Sequence, residues 1–338
     1  MKKILSILCG MFIFISSAFL INVYAKTEIP IAMSLDNNYT LPTIVAMTSM
    51  LENVNSDTFY KFHLLLSGDF REENKNKILS LKDKYSSKQF EINFIDMKNE
   101  FKNSRTRTTY NGKYRHTISI CAFYRLCLPS ILKNYDKVIY LDGDTIIQKD
   151  LCELYNLNLE DYYIAGVKEA SVHDKYAKTL GINDVSQYIN SGVLLMNLKK
   201  MRDDNLKQQF QYFIENKTNK GLTRCLDQDI INSCCYGKIK IIPLKYNAMA
   251  PHLNDITLHP QSKNALFYGK NFDAALNDPT IIHYTGPKPW VCYDTFFGEK
   301  WWYYANKSGL LNNDNFINTL PIKNRIKLRN IIQAAKSE

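Results

Sequence analysis

The chain has 338 residues, of which 45% are hydrophobic and 22% are charged. These proportions are those of an ordinary globular protein and exclude collagen-like, low-complexity and wholly disordered chains. Lysine and arginine number 43 against 33 aspartate and glutamate residues, which gives a formal net charge of +10. This charge favours anionic ligands such as a nucleotide, a phosphorylated lipid or an acidic membrane surface. The charge alone does not decide among these ligands; no basic run of five or more residues occurs, and we predict no nucleic-acid partner.

Residues 1–25 form a separate N-terminal segment. Two lysines precede an uncharged stretch from Ile4 to Tyr24, and Ala25 supplies a small residue where a signal peptidase would cut. This pattern is typical of a secretory leader. The stretch is also long enough to span a bilayer, so an uncleaved anchor is the alternative. Because the leader is short and no long stem follows it, we predict a bacterial protein; we also predict membrane association and leave the side of the membrane open.

The cysteines argue against an oxidised, exported domain. Seven follow the leader, which is an odd number, and no Cys-x-x-Cys pair occurs among them. Such usage favours buried thiols that behave as small hydrophobic side chains rather than a disulfide or zinc framework.

From residue 29 onward, apolar β-rich segments alternate with helical patterns. In chain order we predict a strand over 29–35, a helix over 41–53, a strand over 62–66, a helix over 72–85, a strand over 90–95, a helix over 119–132 and a strand over 137–141. This alternation indicates an α/β fold with a parallel, doubly wound sheet. Ligands of such sheets bind beyond the carboxyl ends of the strands.

The sequence changes character after about residue 270. A strand over 280–282 precedes a segment from His283 to Trp290, and the aromatic residues Trp301 to Tyr304 follow. From Pro321 onward, apolar and basic residues fall on opposite sides of a helix, which suits either an anionic membrane surface or docking on the domain. We divide the chain into a leader (1–25), a globular domain (26–305) and a basic tail (306–338).

The sharpest local feature is Asp142-Gly143-Asp144, called the acidic turn below, which follows the strand over 137–141. Side chains alternate along an extended chain, so both carboxylates are expected on the same side. Gly143 lets another group approach the backbone closely. Two neighbouring carboxylates repel each other unless a cation lies between them, and oxygen donors suit Mg²⁺ or Mn²⁺. A turn rich in Asp and Gly, with no metal, is the simpler alternative.

Five motifs follow one another in a characteristic order. They are Tyr124-Arg125-Leu126, the segment 136–144 that ends in the acidic turn, Asn190-Ser191-Gly192 within 188–198, Leu226-Asp227-Gln228-Asp229, and the segment His283 to Trp290. In this order the sequence resembles the retaining glycosyltransferases of family 8 over roughly residues 29–303. It is similar to bacterial lipopolysaccharide galactosyl- and glucosyltransferases, and more distantly to glycogenin. The resemblance implies a GT-A fold, a Rossmann-like and mostly parallel sheet with flanking helices that binds a nucleotide sugar.

The resemblance implies a divalent cation on the diphosphate of a UDP-sugar, with Asp142, Asp144 and His283 as its ligands. Such a cation neutralises the charge that develops on a departing diphosphate without any proton transfer. An imidazole ligand favours Mn²⁺, with Mg²⁺ as the alternative.

The resemblance also implies contacts to the rest of the nucleotide. Gly286 and Lys288 match the phosphate-binding stretch, in which the lysine supplies a point charge for the β-phosphate. The nucleotide contacts at the end of the first strand are assigned to Ser34, Asp36, Asn38 and Tyr39. Without the resemblance, an Asx turn is the preferred interpretation of this cluster.

Four further residues match those that grip the donor sugar and support catalysis: Arg125, Asn190, Asp227 and Gln228. Gln228 lies where a double displacement would need a nucleophile. An amide is a poor nucleophile, so substitution on a single face, with the departing phosphate oxygen taking the acceptor proton, is the alternative. Glu169 matches acid residues that contact the acceptor.

The sequence therefore predicts a retaining transferase that moves glucose or galactose from a UDP-sugar to a glycan or glycolipid acceptor, of the lipopolysaccharide type. A catalytically silent sugar- or nucleotide-binding protein on the same fold is the alternative, although the intact acidic turn, His283 and Lys288 speak against it. A metal-dependent phosphohydrolase is disfavoured because no water-activating base is evident beside Asp144.

Overall fold

The computed structural model describes residues 26–104, 107–110, 113–292 and 294–309, with 107–110 and 113–117 described by their backbone. The leader (1–25) and residues 310–338 of the tail lie outside the described residues, so the interpretations of both stay predictions. Within the described residues, no helix has the length and apolar character needed to cross a membrane.

Strands and helices alternate along the described chain, as the sequence patterns predict. The strands are β1 (Thr27–Leu35), β2 (Thr58–Leu66), β3 (Phe90–Asp96), β4 (Arg107–Tyr110), β5 (Lys113–Thr117), β6 (Lys137–Leu141), β7 (Thr145–Ile147), β8 (Ile164–Lys168), β9 (Ile189–Asn197), β10 (Ile239–Ile241), β11 (Ala248–Met249) and β12 (Ile281–His283). The α-helices are α1 (Thr40–Glu52), α2 (Glu72–Lys84), α3 (Leu128–Ile131), α4 (Cys152–Tyr155), α5 (Asp174–Thr179), α6 (Leu198–Asp203), α7 (Leu206–Phe213), α8 (Leu226–Cys234), α9 (Ala250–Leu258), α10 (Lys263–Tyr268), α11 (Asn271–Asn277) and α12 (Gly298–Lys307).

Seven of the described strands form a central sheet in the order β10-β8-β9-β6-β1-β2-β3. Four pairings in this sheet are parallel, and β9 runs antiparallel to both of its neighbours, β6 and β8. Strand β1 is buried from Ile29 to Leu35, as expected for a strand with packed layers on both faces. The predicted α/β class with a mostly parallel sheet is confirmed.

Two hydrophobic cores cover the two faces of this sheet, because successive residues of a strand point to opposite sides. Ile31 of β1 belongs to the core that contains Ile44 of α1. Its neighbour Ala32 belongs to the other core, which contains Ile230 of α8. The helices therefore hold the sheet rigidly between two apolar layers, and the strand ends carry the polar residues.

A smaller sheet in the order β11-β12-β7 brings the distant His283 to the acidic turn. Strands β6 and β7 are separated only by Asp142-Gly143-Asp144, and β12 pairs antiparallel with β7. In this register His283 lies opposite Thr145, the residue that follows the acidic turn.

The segment predicted as one helix over 119–132 forms a different structure. A 3₁₀ helix covers Ile120–Cys127, and a short α-helix, α3, follows it. A continuous α-helix would need the N–H of residue 129 to bond to the carbonyl of Arg125, but residue 129 is proline and has no N–H. The backbone N–H of Leu128 bonds to that carbonyl instead, in the 3₁₀ pattern.

The aromatic segment Trp301 to Tyr304 lies in α12, which ends two residues beyond the predicted domain limit at 305. Trp301 is 0% exposed, and its ring centroid lies 5.1 Å from that of Trp290. Trp290 meets Tyr39 edge to face at 6.3 Å. This row of rings joins α12 to the turn after β1.

Replacing Trp301 by alanine is therefore expected to lower the free energy of unfolding by about 3–5 kcal/mol, the usual cost of truncating a buried tryptophan. Urea denaturation of the full chain measures the change. Tyr303 is 55% exposed on the same helix and supplies the matched control, since Tyr303→Ala removes little buried area. Equal losses in the two variants would contradict the assignment of α12 to the core.

Candidate active site

Asp142, Asp144 and His283 come together at the ends of three strands. Asp142 follows β6, Asp144 precedes β7, and His283 ends β12. The ligand atoms that these side chains offer all lie within 4.8 Å of one another. Nε2 of His283 is 3.3 Å from Oδ1 of Asp144 and 3.9 Å from Oδ2 of Asp142. The two carboxylates therefore face one region, as the alternation of side chains predicts.

The buried atoms of this cluster fit a divalent cation. Oδ1 of Asp144 is buried and accepts no hydrogen bond from the described residues, although it faces the imidazole of His283. A buried carboxylate oxygen without a donor is costly unless a positive charge compensates it. Two carboxylates and one imidazole are donors that Mn²⁺ accepts readily.

Lys288 forms an ion pair with the other oxygen of Asp144 and also bonds to the carbonyl of Tyr284. Burial alone would raise the pKa of Asp144, but the positive charge of Lys288 outweighs it and holds this pKa below its usual range. Asp144 therefore remains a carboxylate at neutral pH and keeps its capacity to bind a cation.

Gly192 on β9 makes the close approach of this cluster possible. A Cβ atom at this position would lie 2.2 Å from Cε1 of His283 and 2.7 Å from Oδ2 of Asp142. Gly143 is similarly enclosed, because a Cβ there would lie 2.7 Å from Oγ1 of Thr43. The absence of a side chain at Gly192 lets strands β6, β9 and β12 meet at the site, and its absence at Gly143 lets helix α1 approach the acidic turn.

Arg125 lies between two carboxylates at this edge of the sheet. Its Nη2 donates to Oδ1 of Asp142 at 2.9 Å, and its Nε lies 3.3 Å from Oδ2 of Asp227. Its Nη1 bonds to the carbonyl of Ser191, and the guanidinium stacks on Tyr140 at 4.2 Å from the ring centroid. The residue predicted to grip the sugar is thus 4% exposed and engaged by protein groups on every nitrogen.

Asp227 is buried beside Arg125, and burial raises its pKa to about 6, although the charge of Arg125 acts in the opposite direction. The hydroxyl of Ser191 donates to its Oδ2 at 3.2 Å. Oε1 of Gln228 accepts a hydrogen bond from the backbone N–H of Ser191 at 3.0 Å. Ser191 therefore orients the side chains of both Asp227 and Gln228.

The backbone that carries Asp227 and Gln228 is strained and held in place by Asp229. Leu226 has a positive φ of 36°, which is unfavourable for a residue with a branched side chain. Asp229 is 0% exposed and accepts bonds from the N–H groups of Arg224 and Cys225, both at 2.8 Å. Two tyrosine hydroxyls, those of Tyr176 and Tyr188, also donate to it. The four donors fix the start of α8.

The predicted nucleotide turn forms an Asx turn, because Oδ1 of Asp36 accepts from the N–H groups of Asn38 and Tyr39 at 3.0 and 3.2 Å. Tyr39 lies against Gly143, so this turn adjoins the acidic turn. Asn38 is exposed and does not line the site. Ser34 is nearly buried at the end of β1.

A cavity of about 880 Å³ joins these residues. Twelve of the residues to which the sequence assigns a contact with metal, donor or acceptor line it: Ser34, Asp36, Tyr39, Arg125, Asp142, Asp144, Glu169, Asn190, Asp227, Gln228, His283 and Lys288. Asn38 and Gly286 do not line it, and Gly286 instead packs against Pro251.

Sequence reasoning missed two polar residues close to the cavity. Nε2 of His252 lies 3.3 Å from Oε1 of Glu169, and its Nδ1 is 2.8 Å from the hydroxyl of Tyr268. Asn247 is fully buried, and its Oδ1 lies 2.9 Å from Nδ1 of His283. Neither residue belongs to a recognisable motif, since each lies alone among apolar neighbours in sequence.

Gly192→Ala is expected to displace His283 and Asp142 and to lower the affinity for Mn²⁺ about 10–100-fold, a usual effect of disturbing the groups that orient metal ligands. Titration of Mn²⁺ followed by electron paramagnetic resonance measures the affinity. Gly237→Ala is the control, because Gly237 has a positive φ of 79° but nothing within 4 Å of its added Cβ. This control is expected to lose stability and keep the affinity; an unchanged affinity in Gly192→Ala would contradict the predicted site.

The pKa of Asp227 also predicts a pH dependence of stability. The folded chain binds the proton of the Asp227 carboxyl more tightly than the unfolded chain does, because the pKa is about 6 in the folded chain and 3.8 in the unfolded chain. The stabilisation that this proton provides is therefore fully present below pH 3.8 and is lost as pH rises through about 6. Asp227→Asn removes that loss, and the variant should gain stability relative to the wild type across this window, by about 1.4 kcal/mol for each pKa unit.

Urea unfolding of the wild type and of Asp227→Asn at pH 4 and pH 6.5 measures the difference in their free energies of unfolding. Asp278→Asn, which alters an exposed carboxylate paired with Lys149, is the control for the loss of one surface charge. A stability difference between Asp227→Asn and the wild type that stays constant with pH would contradict the raised pKa.

Comparison with known proteins places this chain among the glycosyltransferases. The family model described as glycosyl transferase family 8 matches residues 30–292. A lipopolysaccharide 1,2-glucosyltransferase of Escherichia coli is 28% identical over 266 residues, which are 77% of this chain and 72% of that protein.

Two solved structures share the fold. The galactosyltransferase LgtC, in complex with donor and acceptor sugar analogues, has a TM-score of 0.69 and 26% identity, covering 82% of this chain and 96% of that one. The bifunctional glycosyltransferase WbbM has a TM-score of 0.69 and 24% identity, and the match covers 82% of this chain but half of that longer one. The predicted GT-A architecture is confirmed, and the chain belongs to glycosyltransferase family 8.

Proposed function

We propose that this family 8 glycosyltransferase is a retaining enzyme that moves glucose or galactose from a UDP-sugar to a glycan or glycolipid acceptor. The observation that carries the proposal is the cluster of Asp142, Asp144 and His283 beside Lys288, in a cavity of about 880 Å³. Two carboxylates, an imidazole and an ammonium suit a metal-bound diphosphate. The glucosyl- and galactosyltransferases among the similar proteins support a hexose donor, and the lipopolysaccharide enzyme supports an acceptor of that type.

Asp142, Asp144 and His283 would hold the cation, for which we propose Mn²⁺. A divalent cation in such a site neutralises the charge of a departing diphosphate without proton transfer. Lys288 contacts Asp144, so its ammonium would lie beside the same diphosphate. Its positive charge would stabilise the phosphate oxygens as the glycosidic bond breaks.

The nucleotide would lie between the turn after β1 and the acidic turn. Tyr39 lines the cavity and offers an aromatic face for a uracil base. Asp36 lines the same wall and has a second carboxylate oxygen for ribose or base contacts, because its Oδ1 alone accepts the two turn bonds. We propose no direct contact for Asn38, whose side chain is exposed.

The donor sugar would contact Asp227, Gln228 and Asn190, which line the cavity next to the cation ligands. Arg125 would act mainly as a positioning residue, because its guanidinium holds Asp142 and Ser191. Polar groups fixed in this way reject a sugar that leaves them without a partner.

The orientation of Gln228 supports substitution on a single face. Its Oε1 is held by the backbone N–H of Ser191, and its Nε2 donates to the hydroxyl of Tyr188 at 3.3 Å. An amide oxygen already engaged by a backbone donor is poorly placed to attack an anomeric carbon. In the proposed route the bond to the diphosphate breaks, the acceptor oxygen bonds to the same face of the anomeric carbon, and the departing phosphate oxygen takes the acceptor proton.

The acceptor would enter beside Glu169 and His252. Both line the cavity, and Glu169 is buried with its oxygens bonded to Asn190, His252 and the N–H of Ser171. A carboxylate and an imidazole held in this way are suitable partners for sugar hydroxyls.

We further propose that the protein works at a bacterial membrane. Residues 1–25 have the composition of a leader or anchor, and the basic tail from residue 306 suits an anionic surface. A membrane location fits a glycolipid acceptor, and reporter fusion after residue 338 measures the side on which the C-terminus lies.

The proposal is tested by UDP release from the full chain, purified in mild detergent, with UDP-glucose or UDP-galactose, Mn²⁺ and lipopolysaccharide core oligosaccharides. We expect release from one of the two donors. Asp144→Asn should lower the rate at least about 100-fold, because removal of one preorganised group that stabilises transition-state charge typically costs that much.

Asp278→Asn is the matched control, because it removes an exposed carboxylate whose partner is Lys149, on the far side of β7 from the acidic turn. It should retain the wild-type rate. UDP binding without release from either donor would favour the silent binding protein. Release that persists in full after chelation of divalent ions would contradict the role of the metal.

A further inference from the structure

We infer that Asn247 is a positioning residue that holds the ring of His283 with Nε2 directed at Asp142 and Asp144. The inference deepens the proposed function, because it rests on the proposed role of His283 as a metal ligand. Asn247 ends the 3₁₀ turn Leu244–Asn247 and directly precedes β11. Strand β11 pairs with β12, and in this register Met249 lies opposite His283. Asn247 therefore lies two residues before the partner of His283.

The orientation of the hydrogen-bond chain starts from a backbone group. The N–H of Gly192 lies 2.9 Å from the side chain of Asn190 and can only donate, so the atom facing it is the Oδ1 of Asn190. The same oxygen is 2.9 Å from the side chain of Asn247. Because an amide oxygen only accepts, Asn247 must turn its NH₂ group toward Asn190.

This orientation leaves the Oδ1 of Asn247 facing His283. The oxygen lies 2.9 Å from Nδ1 of the ring and can only accept, so Nδ1 carries the proton. The neutral ring then presents the lone pair of Nε2 to Asp142 and Asp144, at 3.9 and 3.3 Å. This is the tautomer that a metal ligand needs, and a partner on the other ring nitrogen commonly fixes it.

Burial makes the orientation of His283 depend on this series of hydrogen bonds. Asn247 is 0% exposed and His283 is 3% exposed, so water has no access to replace a missing hydrogen-bond partner of either side chain. A buried donor without an acceptor is costly, and the ring would otherwise be free to turn or to place its proton on Nε2. The chain continues from Asn190, whose Nδ2 donates to Oε2 of Glu169 at 3.1 Å. One row of amides therefore joins the proposed cation site to the proposed acceptor side.

Two substitutions at Asn247 separate this role from a merely structural one. Asn247→Asp keeps an acceptor for His283 but cannot donate to Asn190, whereas Asn247→Leu fills similar space and keeps neither bond. We expect the affinity for Mn²⁺, measured by electron paramagnetic resonance on the full chain with saturating UDP, to fall about 10–100-fold in Asn247→Leu. Asn247→Asp should stay within about threefold of the wild type, because the acceptor that orients the ring is retained.

Asn232→Leu is the matched control. Asn232 is also 0% exposed and bonds to β9 through the N–H and carbonyl of Ile189, but it does not contact His283. It should lose stability in thermal unfolding and keep the affinity for Mn²⁺.

Equal losses of affinity in the two Asn247 variants would overturn the inference in favour of a role that only supports Asn190. An equal loss of Mn²⁺ affinity in Asn232→Leu would also overturn the inference, because it would indicate general disruption of the fold. An unchanged affinity in Asn247→Leu would overturn it as well. Because these measurements record binding, UDP release by the wild-type chain tests the transferase function separately. A wild-type chain that binds no Mn²⁺ would overturn both the inference and the proposed metal site.

Discussion

The buried guanidinium of Arg125 is the interaction on which the cavity depends. Asp142, Asp144 and Asp227 line one wall, and carboxylates brought so close together in a partly desolvated site repel one another strongly. Arg125 joins Asp142 to Asp227, while Lys288 compensates Asp144 from the other side. Even with Arg125 beside it, burial raises the pKa of Asp227 to about 6, so the guanidinium only partly compensates the cost of burying this carboxylate. Loss of the guanidinium would leave buried charges without a partner, which is far more damaging than the absence of a surface ion pair.

The position of these charges follows from the sheet rather than from the loops. Strands β6, β9 and β12 are buried between apolar layers, and their polar residues lie at the strand ends. The contact of Gly192 with His283 and Asp142 sets the distance between the strands at that point. A site held by rigid strands keeps its geometry before a substrate arrives, which reduces the reorganisation needed at the transition state.

Local signals in the sequence were sufficient for much of this architecture. The strand before the acidic turn has the predicted limits of 137 and 141, because an apolar run flanked by turn residues has few other solutions. The segment over 119–132 differed because a single proline, at 129, removes one α-helical bond. Asn247 and His252 could not be found, because their roles arise from contacts across 36 and 83 residues of chain, with His283 and Glu169 respectively, and no local pattern encodes such contacts. The order of the five motifs predicted which residues meet at the site, whereas single residues did not, because the order indicates which strand ends lie together.

The polar side chains of the cavity are oriented by backbone donors before any sugar is present. The N–H of Ser191 fixes Gln228, that of Gly192 fixes Asn190, and those of Asn38 and Tyr39 fix Asp36. Backbone groups in strands and turns cannot rotate away, so each side chain presents one defined face to a ligand. A hexose whose hydroxyls do not match those faces must leave buried amide or carboxylate groups unpaired, at a cost of about 1–3 kcal/mol for each group. The proposed discrimination between glucose and galactose, which differ in the direction of one hydroxyl, would therefore require only that one such side chain be held by the backbone in an orientation suited to one epimer.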